Sequence, residues 1–403
     1  MSQFGLSTDQ QAYVAHVRDL ADKELSPDAQ GLRPDGSDGH VDRELLRTLG
    51  RLGLLRGLFG GAPDETPRDA AAMQLCLLRE TLAGVNTEAE TALALQGLGS
   101  YPILQSGNRS TVERWLPGVV SGEVVAAFAL SEPDAGSDAA ALSLRAEPDG
   151  DPSTGARSWR LFGEKTWISN APEADVYTVF ARTTPDSRAR GVTAFAVAGD
   201  ADGLSGEHID LLSPHAIGRL TFDGVRVTSD DILGEVDAGF TVAMRTLDLF
   251  RPSVGAFALG MAQAALDATV AWTGDRQVHG GPLHEQQSVS HTLAEMATRV
   301  RASRLLVYAA ASAYDAGAPA AEVTTAAAMA KLYATESAQY VVDQAVQLHG
   351  ARALQRGHLL EHLYREVRAP RIYEGASEVQ RTIIGRGLVR DHEHERPEGD
   401  SLP

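Results

Sequence analysis

Hydrophobic spacing changes its period twice along this chain, and that constrains the fold more than any single motif does. Up to about residue 120, apolar residues recur at three- and four-residue intervals in Gln10–Leu25, Arg43–Leu54, Arg68–Leu82 and Thr87–Leu98, with Pro27, Pro63 and Pro102 among the breaks. This is the spacing of helices with one buried face. From Val124 it gives way to short strand-favouring runs, Val124–Leu130, Leu142–Ala146, Trp159–Phe162, Val176–Ala181, Val192–Val197 and Leu220–Val227, separated by turns such as Pro148–Gly155. After Gly239 the helical spacing returns and holds to about Val389. Ala334, Ala338, Val341, Val342, Ala345 and Leu348 form one stripe there, and Leu293, Met296, Ala297 and Val300 another. The reading is α, then β, then α: an α+β chain with an N-terminal α domain over 1–122, a middle β domain over 123–236, and a C-terminal α domain over 237–390. The polar stretch Asp391–Pro403 reads as a disordered tail.

Composition removes whole function classes. With 36 Lys plus Arg against 54 Asp plus Glu the formal charge is −18, which suits neither DNA nor RNA, because affinity for phosphate backbones rests on neutralising cations. Cys76 is the only cysteine, so no intrachain disulfide and no cysteine zinc cage is possible, and a reducing, cytoplasmic setting is expected. No run approaches the roughly 18 apolar residues of a membrane helix, and Met1–Leu20 is too polar for a signal peptide. Lysine is scarce: Lys23, Lys165 and Lys331 are the only ones. None lies in a GxxxxGK[ST] context, and neither GxGxxG nor GxSxG occurs, which excludes a P-loop, a Rossmann fingerprint and a hydrolase elbow.

Two segments of the β region carry candidate chemistry. Phe128-Ala-Leu-Ser-Glu-Pro-Asp-Ala-Gly-Ser-Asp138 reads as a strand running into a turn, where Gly136 admits close approach of a flat polar ligand and Ser131 and Ser137 offer hydroxyl donors. An ordinary capped strand-end turn has the same composition. In Gly163-Glu-Lys-Thr-Trp-Ile-Ser-Asn170, the period of two puts Trp167 and Ser169 on one side of a strand, where an indole could cover a ring and a hydroxyl bond its edge. A tryptophan in a strand can equally belong to the core. His358-Leu-Leu-Glu-His362 fits an HxxEH zinc pattern, with both histidines on one helical face, but has no third ligand in view, and no metal site is expected.

These two segments, followed by Arg276-Gln-Val-His-Gly280 and Arg371-Ile-Tyr-Glu-Gly-Ala-Ser-Glu-Val-Gln-Arg381, together resemble the acyl-CoA dehydrogenase family of flavoenzymes from about residue 10 to residue 389. The resemblance implies a barrel-like middle domain, a four-helix-bundle C-terminal domain and bound FAD. Phe128, Leu130, Ser131 and Ser137 would hold the flavin's pyrimidine edge, and Trp167 and Ser169 would line the isoalloxazine. Arg276, Val278, Gln287, Gln347, Leu348, His349 and Gly350 would grip pyrophosphate and adenosine, partly across an interface in a homodimer or homotetramer. Ala376, Ser377 and Glu378 fall on the cofactor side as well.

By the same resemblance Glu374 is the catalytic base that removes the α-proton of an acyl thioester, with its own backbone N–H and a ribityl hydroxyl of FAD polarising the thioester oxygen. A proton-abstracting carboxylate needs shielding from water. Some branches carry the base just before an Arg-Pro pair; here that position is Phe250, which leaves Glu374. Asp248, Arg251, Gly375, Arg386 and again Ser137 match substrate-side positions, although Asp248 and Arg251 also suit a simple i,i+3 ion pair. Departures from the family pattern, at His279, Ala351 and Ala376, fall at the phosphate and adenine end of FAD.

Three functions follow as alternatives. The first is an acyl-CoA dehydrogenase passing electrons to an electron-transfer flavoprotein. The second is a relative that takes a carrier-protein-bound acyl group or uses oxygen. The third is a non-catalytic assembly subunit. Because CoA is itself an anion, Arg251, Arg276 and Arg386 are the candidates for local positive charge against the global −18.

Overall fold

The structure is a computed structural model and describes residues 5–26, 39–61, 66–150, 158–213 and 215–395. The breaks expected at Pro27 and Pro63 and most of the Pro148–Gly155 turn lie outside those residues. The chain forms two compact units, one spanning Ser7–Leu247 and the other Asp248–Pro403 together with Met1–Leu6.

In the first unit the helices are α1 (Thr8–Glu24), α2 (Arg43–Arg51), α3 (Ala72–Ala83), α4 (Thr87–Ser106) and α5 (Arg109–Ser121). Ser7, Asp42, Asn86 and Asn108 cap the N-termini of α1, α2, α4 and α5 through side-chain oxygens, as these residue types favour. Two expectations are corrected here. Arg68–Asp69 is a short strand (β2) paired with Phe59–Gly60 (β1), so the third helix begins only at Ala72. Pro102 lies inside α4 instead of ending it, and Pro117 likewise lies inside α5. Pro102 is buried among the helix's core residues, and packing offsets the hydrogen bond a proline forfeits.

Among the described residues, eight strands form the sheet of this unit: β3 (Ala126–Ala129), β4 (Arg145–Pro148), β5 (Ser158–Ser169), β6 (Val176–Arg182), β7 (Val192–Ala198), β8 (Leu204–His208), β9 (Ile217–Thr228) and β10 (Ile232–Leu233). The order is β10-β7-β6-β4-β5-β9-β8, and β3 runs parallel to β6. Spacing alone did not reveal β8, whose residues are nearly all exposed and carry no alternation. Helix α4 lies directly on β3. A Cβ on Gly99 would stand 2.5 Å from the Ala127 nitrogen, and the Gln96 amide brackets the strand start by donating to Val124 O and accepting from Ala126 N, both at 2.7 Å.

Beneath the end of β3 sits an ion pair out of contact with water. The Lys165 ammonium donates to Glu132 Oε1 at 2.8 Å and to Leu130 O at 2.9 Å, while backbone N–H groups of Ser143 and Leu144 donate to the same carboxylate. Burial pushes Lys165 down to about 8 against the pull of Glu132. Burial acts to raise Glu132, but Lys165 and the N–H donors outweigh it and hold the carboxyl below its usual range. Both groups are ionised at neutral pH.

The second unit is helical: the rest of α6 (Gly239–Asp275), then α7 (Gln287–Asp315), α8 (Ala320–His349), α9 (Leu359–Glu366) and α10 (Ser377–Glu395), with a hairpin of β11 (Gln277–Val278) and β12 (Gly281–Pro282). The α8 stripe is as expected from Ala334 to Ala345, which are buried, whereas in the α7 stripe Met296 and Val300 are buried and Ala297 is exposed. Helix α6 is long and apolar enough to cross a membrane, yet 67% of its most apolar window is buried in protein. The expected tail is corrected in part: Asp391–Glu395 continue α10, since nothing before Pro397 opposes a helix. Arg396–Pro403 lie outside the described residues.

Lys165→Met strands a buried carboxylate and is expected to cost about 3–5 kcal/mol in urea unfolding, with much of it recovered in Lys165→Met/Glu132→Leu. A cost below about 1 kcal/mol would sink the assignment. The sign with pH is also fixed. In the fold Lys165 releases its proton near 8 and in the unfolded chain near 10.5, so the unfolded state binds more protons in between. Wild-type stability should therefore rise, relative to Lys165→Met, as pH climbs from about 8 towards 10.

Candidate active site

In the first unit the segment leaving β3 forms a tight turn resting on the Lys165–Glu132 pair. Glu132 and Ala135 exchange both backbone hydrogen bonds at 3.2 Å, which closes the turn on itself, and Thr166 N donates to Ser131 O at 3.0 Å, which ties it to β5. Ser131 is half-buried, Ser137 is exposed, and a Cβ on Gly136 would meet nothing within 4 Å, which leaves open space beside the turn. Phe128 is half-buried with its ring 4.9 Å from Phe180, and Leu130 is buried.

Strict alternation in β5 fails where it matters. A register irregularity between Lys165 and Ile168 leaves Lys165 and Thr166 both buried and turns Trp167 outward, 57% exposed, with φ +59°. A bulky residue in the left-handed region is a true outlier, of the kind that clusters at functional sites. Trp167 is therefore not a core tryptophan. The expectation from simple period-two geometry is corrected, because a bulge sets the orientation of Trp167 relative to Ser169. Ser169 is half-buried at the end of the strand, and Asn170, also left-handed at φ +65°, donates to Ala126 O at 2.9 Å.

In the second unit Glu374 and Gly375 form a turn with φ +51° and +95° ahead of α10. Two buried donors hold it. Lys331 Nζ, from the middle of α8, donates to Gly375 O at 2.7 Å, and Gln380 Nε2 donates to Gly375 O at 2.8 Å and Glu374 O at 3.2 Å. Any side chain at 375 would collide with Gln380, since a Cβ there would lie 2.5 Å from Nε2. Burial lowers Lys331 to about 8; Glu374 is the strongest influence holding it up, and Arg251 pushes it further down. One polar nest thus gathers Glu374, Gly375, Lys331 and Arg251.

Arg251, 6% exposed, pairs with Asp248 at 3.0 Å, so the intrahelical pair exists; Thr324 also donates to Asp248 at 3.3 Å. Burial raises the Asp248 carboxyl despite Arg251. The Arg251 Nε is buried with no hydrogen-bond partner among the described residues. Ser377 is engaged within the unit, donating to Glu336 Oε1 at 2.6 Å, and Arg371 pairs with the other oxygen at 2.8 Å. Ala376 is half-buried at the head of α10, while Glu378 and Arg386 are exposed along it.

The remaining positions collect around a residue that spacing did not mark. Trp272, one turn before Arg276 on α6, donates to Leu348 O at 3.1 Å and stacks on His349 at 5.4 Å. The guanidinium groups of Arg352 and Arg276 lie 4.3 and 6.0 Å from its ring centre. Burial lowers His349, whose Nδ1 faces Ala345 O at 2.8 Å. Gln347 and Gly350 are exposed beside this cluster, Val278 is half-buried in the hairpin, and Gln287 is exposed at the start of α7. The hairpin turns through His279 and Gly280, both at positive φ, a mirror-image turn that histidine tolerates. Trp272 and Arg352 could have been found from their i,i+4 and i,i+3 spacing to Arg276 and His349. The HxxEH pattern dissolves: His358 is the N-cap of α9, taking a hydrogen bond from Leu360 N at 3.1 Å, and Glu361 pairs with Arg365 at 2.7 Å.

Family models match almost the whole chain: the acyl-CoA dehydrogenase N-terminal domain over residues 7–123, the middle domain over 127–225 and the C-terminal domain over 237–389. The chain is 32% identical to cyclohexane-1-carbonyl-CoA dehydrogenase of Geobacter metallireducens, over 96% of this chain and 99% of that protein. It is 36% identical to the human mitochondrial short-chain specific acyl-CoA dehydrogenase, over 95% and 90%. The structure of butyryl-CoA dehydrogenase from Megasphaera elsdenii superposes with a TM-score of 0.86 at 33% identity, covering 96% of this chain and all of that one. The motifs, the fold and these relatives agree: the chain belongs to the acyl-CoA dehydrogenase family, a family of FAD-binding oxidoreductases.

Proposed function

We propose that this protein is an FAD-dependent dehydrogenase that introduces an α,β double bond into an acyl-CoA thioester, with Glu374 as the base. The observation that carries this reading is the Glu374 turn: a carboxylate-bearing residue in a strained left-handed conformation, pinned by two buried donors inside the family's C-terminal domain. A proton-abstracting group works only if it meets its proton in a fixed geometry, and the clamps on the carbonyls of residues 374 and 375 supply that rigidity. The thioester oxygen gains negative charge as the α-proton leaves and needs a donor already in place; the backbone N–H of Glu374 is the candidate. Arg251 and Lys331 set a positive field behind the carboxylate. Arg251 is too buried to reach solvent-borne phosphates, which leaves exposed Arg276 and Arg386 for anionic groups.

The residues present fit FAD. Exposed Trp167, with Ser131, Ser137 and Ser169 and the open space beside Gly136, would hold the ring system; Arg276, Arg352 and Trp272, with Leu348, His349 and Gly350, would hold the phosphate and adenosine end. When bound, FAD supplies the acceptor for the β-hydride. The reading extends to a homodimer or homotetramer that completes this second cluster, to an electron-transfer flavoprotein as electron acceptor, and to a cytoplasmic setting.

In anaerobic mixing of the flavin-loaded protein with a panel of acyl-CoAs, bleaching should be rapid for at least one acyl group. Glu374→Gln keeps the side-chain shape and should slow it by about 10²–10⁴-fold. Bleaching at the wild-type rate in that variant would refute the base assignment. Trp167→Ala should weaken FAD retention roughly 2- to 10-fold, the scale of one aromatic contact. Unchanged FAD affinity would remove Trp167 from the cofactor wall.

A further inference from the structure

Three side chains that the proposed reaction does not use meet within the first unit. His40 stands just before α2, Glu173 lies in the turn joining β5 to β6, and His208 ends β8. His40 Nδ1 is 2.7 Å from Glu173 Oε1, His208 Nε2 is 3.2 Å from the same oxygen, and the imidazole rings sit edge to face with centres 4.4 Å apart. All three potential ligand atoms lie within 4.8 Å of one another. A tetrahedral ion with bonds of about 2.0–2.2 Å holds its ligand atoms a little over 3 Å apart, so shifts of about an ångström would close the trio around one ion.

The surroundings suit that role. Neutral imidazoles and one carboxylate give the cluster a net charge of −1, and each side chain reaches solvent, at 56%, 28% and 35% exposure for His40, Glu173 and His208, so a water can complete the shell. The carboxylate is presented by a braced turn. Glu173 N donates to Asn170 O at 2.9 Å, and Arg43 donates to Glu173 O at 2.8 Å while its charge is met by Asp175 at 2.8 Å. Bracing of this kind orients a ligand before metal arrives. Two imidazoles with one carboxylate suit zinc and neighbouring first-row ions, whereas calcium and magnesium favour all-oxygen shells.

We propose that His40, Glu173 and His208 form a zinc-class divalent metal site that clips the segment leading into α2 onto the β sheet. Binding exchanges the His40–Glu173 hydrogen bond and the close approach of His208 to the same oxygen for three metal bonds, and needs both histidines neutral. Because the segment and the sheet are joined by the ion in the folded state only, zinc should raise the thermal midpoint.

The test titrates zinc chloride into the flavin-loaded full-length protein after chelator treatment, by calorimetry, with thermal unfolding in parallel. One tight equivalent per chain is expected, weakened more than about 100-fold in His208→Ala and in His40→Gln, since loss of a direct ligand exceeds the effect of losing an outer partner. The zinc-dependent rise in thermal midpoint should vanish in both variants. Both changes are at the surface, and zinc-free melting of each variant reports directly on its folding. Absence of a tight equivalent overturns the site and leaves a His40–Glu173 hydrogen bond with His208 beside it. Wild-type affinity in both variants overturns it as well, placing the zinc on other histidines.

Discussion

A lysine ammonium taken out of water and given a turn's carbonyl oxygen as its partner is the constraint on which the rest depends. It occurs twice, and it uses two of the three lysines in the chain. Lys165 holds Leu130 O beneath the turn that carries Ser131 and Ser137, and Lys331 holds Gly375 O in the turn that carries Glu374. Burial depresses both groups to about 8, so each stays charged near neutrality while opposed by desolvation. A buried cation survives only with counter-charge and hydrogen bonds in place, and in both cases a glutamate and a carbonyl meet that need. The turn then has one low-energy position, because moving it would leave an ammonium unpaired.

This arrangement explains how strained backbone persists. Trp167, Asn170 and Glu374 all have left-handed backbone without the freedom of glycine. Each lies close in sequence or contact to a buried polar anchor: Lys165 next to the Trp167 bulge, the Asn170 amide on Ala126 O, Lys331 and Gln380 on the Glu374 turn. Rigid scaffold and strained backbone are two parts of one design, in which helices and sheet over-determine a few positions.

Much of this was legible in the residues. The α–β–α order followed from hydrophobic period, and the four motifs carried the family, including Glu374, Trp167 and the Arg276 region. What stayed hidden depends on partners distant in sequence. Lys165, flanked by Glu164 and Thr166, reads as a surface residue until Glu132 folds beneath it, and Lys331 in an alanine-rich helix gives no sign of Gly375, 44 residues on. The bulge at Trp167 breaks the very periodicity that would have placed it. Pro102 and the α10 extension show the same limit: local breaker and tail signals yield when packing or an uninterrupted helix favours continuation. His358 matches a zinc pattern only by coincidence of spacing, and its role is that of a helix cap.

Whether Lys331 fixes and electrostatically supports Glu374 is decided by the pH dependence of flavin bleaching in Lys331→Met. Removing the buried cation withdraws charge that favours the Glu374 carboxylate. The acid limb of the profile should therefore move to higher pH, along with a lower maximal rate from the loosened turn. A profile that superimposes on the wild type, whatever its height, would mean that Lys331 does not act on Glu374.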